Sequence, residues 1–149
     1  MLPFRGGRRW HVYNEKYFSR DALTPRGGRA SALYAGRDGP GGGTTIYVSG
    51  LLSRDREGNI VGKGDMAAQI QQVGENLRLS LEAAGATLKD LVRTYTYVTD
   101  IDAFFKEVDM RQKYFGQALP TSSTIGVSRL SHPDFMVEIE AFAVIDDKR

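Results

Sequence analysis

Met66, Ile70, Val73, Leu77, Leu81 and Ala84 recur at steps of three and four residues and draw one apolar stripe, the mark of a long amphipathic helix. Asp65 stands where an N-cap belongs, and Gly85 where a left-handed glycine would close the helix. The period then changes. From Leu91 to Thr99 the chain alternates, with Val92, Thr94, Thr96 and Val98 on one side and Arg93, Tyr95 and Tyr97 on the other, which predicts a strand. Asp100 can cap a second helix running to about Phe115, with Phe104, Val108 and Phe115 inward. Pro120 breaks the chain ahead of a strand from Ser123 to Leu130, and the SHPDF loop turns it into a last strand over Met136 to Ile145.

The first third is less regular. Short strands are expected at Arg9–Tyr13, Ala30–Ala35 and Ile46–Gly50, where aromatic and β-branched residues cluster, with an irregular stretch from Asn14 to Gly28. The glycine-rich segment Gly36–Thr45 lacks the G-K-[ST] and following helix of a P-loop, and reads as a hairpin connection. The order β-β-β-α-β-α-β-β describes an α+β domain with one sheet and two helices, enough to cover one face only. In the last strand Val137, Ile139, Ala141, Ala143 and Ile145 form the helix-facing side. Met136, Glu138, Glu140, Phe142 and Val144 form the other, joined by Tyr95 and Tyr97 from a neighbouring strand. Leaving such a face in water costs roughly 1.5–3 kcal/mol per large apolar side chain, so symmetric self-association is the expected cover.

Composition narrows the class. With 149 residues, 41% apolar and 26% charged, the chain fits one ordinary globular core. No apolar run approaches the roughly 20 residues that span a bilayer, and the basic N-terminus has no apolar segment of a secretory signal behind it. There are no cysteines, hence no disulfides and no thiolate chemistry, and a cytoplasmic location without membrane association is expected. The formal net charge of +2 hides seven arginines between Arg5 and Arg37. Such an arm can bind nucleic acid through phosphates, but no nucleic-acid-binding motif accompanies it, and a solvated or subunit-contacting extension is preferred.

The candidate chemistry is sparse. His11 and His132 have no metal-ligand spacing, and neither a metal nor a cofactor is expected. No G-x-S-x-G elbow surrounds any serine; Ser49 and Gly50 end a strand, where backbone N–H groups can face a ligand. Glu138 and Glu140 are sharper. A carboxylate on a sheet face entering an interface either finds donors or has its pKa raised by desolvation, as a general acid or base requires. A structural ion pair with an arginine is as good a reading for Glu138 and the better one for Glu140.

The stretch LPTSSTIGVSRLSHPDFMVEIEAFAVI resembles the C-terminal signature of the YjgF/RidA family, the reactive-intermediate deaminases also labelled endoribonuclease L-PSP. IYVSGLLS, the Asp65–Gly85 helix and VRTYTYVTDIDAFFKEVD match the family's middle section in order and spacing. The resemblance implies residues 30–149 as the family domain, preceded by an extension over 1–29. It further implies a two-layer, chorismate-mutase-like fold of the trimeric type, with three sheets forming a central barrel and small-molecule clefts at the subunit boundaries. In the best-known members these clefts hydrolyse reactive enamines and imines to 2-keto acids and ammonia. By the same resemblance Glu138 is the catalytic glutamate, and Ser49, Gly50, Asp109, Ser122, Thr124 and Tyr34 fall at ligand-binding positions. Ser122 stands where the family has the arginine that grips the substrate carboxylate. Serine offers one neutral hydrogen bond of about 1 kcal/mol against roughly 1.5–3 for a charge-assisted one. Three outcomes follow: a deaminase of altered specificity, with another arginine such as Arg29 or Arg129 in the cleft; a trimeric small-molecule-binding protein without turnover; or mainly an assembly or interaction module. The old family label adds, more weakly, an endoribonuclease.

Overall fold

The computed structural model describes residues 33–37 (as backbone), 43–116 and 118–146; the expected strand at Arg9–Tyr13 lies outside them. The elements in chain order are β1 (Leu33–Arg37), β2 (Thr44–Leu52), α1 (Met66–Ala83), a single 3-10 turn (Leu88–Asp90), β3 (Leu91–Val98), α2 (Ile101–Lys106), α3 (Val108–Phe115), β4 (Thr121–Gly126) and β5 (Val137–Ile145). The five strands lie in the order β1-β2-β5-β3-β4. All neighbours are antiparallel except β3 and β4, which the α2–α3 crossover joins in parallel.

The helix-facing side is built from the expected residues. Ile46, Val48 and Leu51 of β2 and Val137, Ile139, Ala141 and Ala143 of β5 are buried beneath Ile70, Val73, Leu77 and Leu81 of α1. Asp65 accepts from the Ala68 N–H at 3.0 Å, and Gly85 takes φ +77°, so both ends of α1 close as the sequence predicts. Two amides on α1, seven residues apart and so on one face, reach into the sheet connections. Gln69 is fully buried; its Nε2 donates to the carbonyls of Gly62 (3.0 Å) and Asp134 (2.7 Å), and its Oε1 accepts from the Met136 N–H (2.8 Å). Asn76 Nδ2 donates to the carbonyls of Leu52 and Arg54, both at 3.0 Å. One amide thus fixes the entry to β5 and the other the exit from β2.

Three expectations are corrected. The helix over 100–115 is two helices, because Glu107 leaves helical geometry (φ −91°, ψ 47°) and its N–H bonds three residues back to Phe104. The break re-phases the second half: Phe104 stays buried, but Tyr114 is the buried ring of α3, Phe115 is half-buried and Val108 is 57% exposed. Tyr114 seats over Gly74 of α1, where a side chain would overlap its ring. Val92 is exposed and Leu91 buried, since a bulge between Leu91 and Arg93 resets the alternation of β3. Finally, β4 starts at Thr121 and ends at Gly126, because β3 ends at Val98 and leaves nothing for residues 127–130 to pair with beyond one Val127–Val98 bond.

Gly74→Ala tests the α1–α3 seat. Alanine is better by about 1 kcal/mol in a free helix, whereas overpacking costs typically 1–3 kcal/mol. A lowered melting temperature is expected; a raised one would mean the ring does not rest there.

Candidate functional site

The centre of interest is a bulge where β2 passes β5. Val48 pairs with Ala141 and Leu51 with Ile139, so Ser49 and Gly50 together stand opposite Glu140. The extra residue bends β2 and brings its backbone onto the Glu138 side chain. A Cβ at Gly50 would overlap Glu138 Oε1, so only glycine leaves room for the carboxylate. Ser49 is exposed beside it.

Glu138 and Glu140 point to the face away from the helices, opposite Tyr97 and Tyr95 respectively. Tyr97 Oη donates to Glu140 Oε2 at 3.3 Å. The Glu138 carboxylate is half-buried and makes no hydrogen bond or ion pair among the described residues. Desolvation, and secondarily the charge of Glu140, raise its pKa above the ordinary carboxylate value. Desolvation likewise raises the Tyr97 phenol, with Glu140 adding to it. Tyr97, Val127, Arg129, Leu130 and Ser131 complete a groove of about 310 Å³ over the two carboxylates. Arg129 lines that groove, but its Nε turns to the Leu130 carbonyl at 3.4 Å. The ion-pair reading of Glu138 finds no partner among the described residues.

Ser122 lies elsewhere. It pairs with Thr94 on β3 and receives the Thr94 hydroxyl at 3.1 Å, which puts it on the helix-facing side. Thr124 pairs with Thr96 and points the same way. Ser122 borders a hollow of about 200 Å³ between β4 and α3, with Thr94, Thr96, Val108, Arg111 and Phe115. Asp109 sits in the first turn of α3, exposed and outside that lining. Tyr34 lies in β1 opposite Tyr47, its side chain outside the described residues. One chain therefore gathers Ser49, Gly50 and Glu138 on one face of the sheet and Ser122 with Thr124 on the other, separated by β3. Among the described residues no three His, Asp or Glu side chains converge as a metal site.

The family described as endoribonuclease L-PSP matches residues 39–145. The chain belongs to this family, the YjgF/RidA proteins. Among its relatives in the family, a RutC family protein of Pyrococcus horikoshii is 33% identical over 129 residues, 87% of this chain and 96% of that protein. A 2-iminobutanoate/2-iminopropanoate deaminase of Dermatophagoides farinae is 30% identical over 104 residues, 70% of this chain and 80% of that one. A crystal structure of a putative endoribonuclease from Thermotoga maritima superposes with a TM-score of 0.68 at 31% identity, covering 87% of this chain and 95% of that one. The YjgF/RidA fold thus accounts for the mixed sheet with helices on one side.

Sequence reasoning passed over Arg111. The signal was present: Arg111 continues the Phe104, Val108, Phe115 stripe at helical spacing, and a cation among apolar positions asks for an explanation.

The environment of Glu138 predicts a stability effect of defined sign. A carboxyl with a raised folded-state pKa is destabilised by ionising, so its penalty is absent below the unfolded value of about 4.3 and grows as pH rises through the folded one. Glu138→Gln is expected to melt above wild type at pH 8, with the gap closing by about pH 4. A variant that melts below wild type at pH 8 would show that Glu138 is paired instead.

Proposed function

We propose that the protein is a hydrolase that deaminates a small enamine- or imine-type metabolite in clefts between the subunits of a homotrimer. The observation that carries this is the Glu138 carboxylate, unpaired, partly desolvated and seated against the side-chain-free backbone of Gly50. A base so placed takes a proton from water as the oxygen bonds to the C=N carbon and passes it to the nitrogen, giving a carbinolamine. It then moves the hydroxyl proton to the same nitrogen as the C–N bond breaks, so that ammonia leaves and the carbonyl forms. The relative named as an iminobutanoate/iminopropanoate deaminase supports the reaction class.

Self-association is supported by the same geometry. The two half-sites point away from each other across one sheet, so a single ligand can meet both only if a second copy supplies one of them. The open face carries Tyr47, Tyr95, Phe142 and Val144, with Phe142 edge-on to Tyr47 (5.1 Å) and Tyr95 (6.2 Å). Arg93 Nε on this face is buried without an acceptor, a donor that a neighbouring subunit can satisfy.

The test is release of 2-keto acid from 2-aminoacrylate and its imine, generated in situ by a serine dehydratase. Wild type is expected to accelerate release, and Glu138→Gln to lose roughly 10²–10⁴-fold, the usual worth of a general base. The wild-type rate should fall as pH drops through the raised Glu138 pKa, because only the carboxylate accepts the proton. Equal rates for wild type and Glu138→Gln would refute the mechanism. Ser122 in place of a cation favours one alternative, a binding protein without turnover; a ligand that raises the melting temperature yet is never consumed would establish it.

A further inference from the structure

The hollow beside Ser122 has an unexpected occupant. Arg111 comes from α3 into the lining shared by Ser122, Thr94 and Thr96. Its guanidinium caps two rings at once, 4.8 Å from the centre of Phe104 and 4.7 Å from that of Phe105. It forms no ion pair and no side-chain hydrogen bond among the described residues. Arg78, by contrast, is paired to both Glu75 and Glu82 at 2.5 Å. Burial lowers the Arg111 pKa, as expected of a cation partly withdrawn from water without an anion beside it.

An arginine in this state is costly unless something repays it. The two phenylalanine faces do so in part, and they also hold the planar fork in one orientation with its edge N–H groups free. Hydroxyls border the same space: Ser122 itself and the threonines of β3. At about 200 Å³ the hollow lies below the 300–1,000 Å³ of ordinary drug-sized pockets, so it fits a molecule of only a few heavy atoms.

We propose that Arg111 is the anion anchor of this protein, gripping the carboxylate of a small organic acid from α3 in place of a cation on β4. The inference rests on reading the Ser122 hollow as half of the ligand site, but it concerns binding alone and stands or falls apart from turnover. The Phe104–Phe105 pair gives the fork its orientation, and the Thr94–Ser122 hydroxyl pair lies on the wall against which the acid rests. A ligand held from α3 sits displaced from one held from β4, which would give this protein a different fit for the groups beyond the carboxylate.

The experiment measures affinity by calorimetry for pyruvate, 2-oxobutanoate and the neutral pyruvamide. It uses full-length wild type, Arg111→Gln, Arg111→Lys and the double variant Arg111→Gln/Ser122→Arg. Wild type should bind the two acids at least tenfold more tightly than the amide. Arg111→Gln should lose at least tenfold for the acids and nothing for the amide, with Arg111→Lys between, since lysine keeps the charge but not the fork. The double variant, restoring a cation to the same hollow, should recover the loss. Acid binding unchanged in Arg111→Gln would overturn the proposal, as would absence of any preference for acid over amide in wild type. If Arg111→Gln does not fold, failure of Arg111→Lys to weaken the acids would overturn it equally. A wild type that binds the acids through Arg111 but never accelerates keto-acid release would leave this inference standing while refuting only the hydrolase reading.

Discussion

The buried side chain of Gln69 holds together what the rest of the molecule uses. An amide in an apolar interior is tolerable only when its hydrogen-bonding groups are met, and this one has two carbonyls to donate to and one backbone N–H to accept from. Removing it would strand the Asp134 carbonyl and the Met136 N–H, each worth roughly 1–3 kcal/mol if left unsatisfied, while the Gly62 carbonyl keeps the Asp65 N–H. Asn76, one face-repeat further along α1, does the same for the exit from β2. Between them the two amides fix how β2 and β5 pass one another. Gly50 lies two residues before Leu52 and Glu138 two after Met136, so the bulge and the carboxylate that rests against it sit beside both anchors.

A consequence is that the site is rigid where it meets the helix layer and incomplete where it meets the open face. The core beneath Glu138 is apolar and closed, with Val137 and Ile139 fully buried on either side of it. Above it the carboxylate faces a groove bordered by Arg129 and Tyr97, with a second carboxylate two residues away. This arrangement raises a pKa without spending a partner on it. It is also one that a neighbouring subunit can finish.

Much of this was legible in the chain. The α1 stripe and its caps followed from spacing alone, as did the two faces of β5 and the uncovered side of the sheet. What escaped were local departures from period. The bulge at Val92 shifts one residue without altering composition, and the break at Glu107 carries no proline or glycine to announce it. The resemblance put Ser122 at the arginine position of the signature, but the face it takes depends on parallel pairing with β3, which sequence does not display. Arg111 escaped because an arginine on a helix reads as solvent-facing unless the stripe beside it is followed across the break. Gly50 is the opposite case: expected at a strand end, it stands inside β2 at the bulge, and its reason appears only once Glu138 lies against it.

With the open sheet face as the proposed subunit surface, each cleft takes one half-site from each of two chains. Sedimentation equilibrium of the full-length protein at micromolar concentration tests it most directly. A single species at three times the 16.5 kDa chain mass is expected. A monomer at every concentration would contradict it, because the Glu138 and Ser122 half-sites would then never meet.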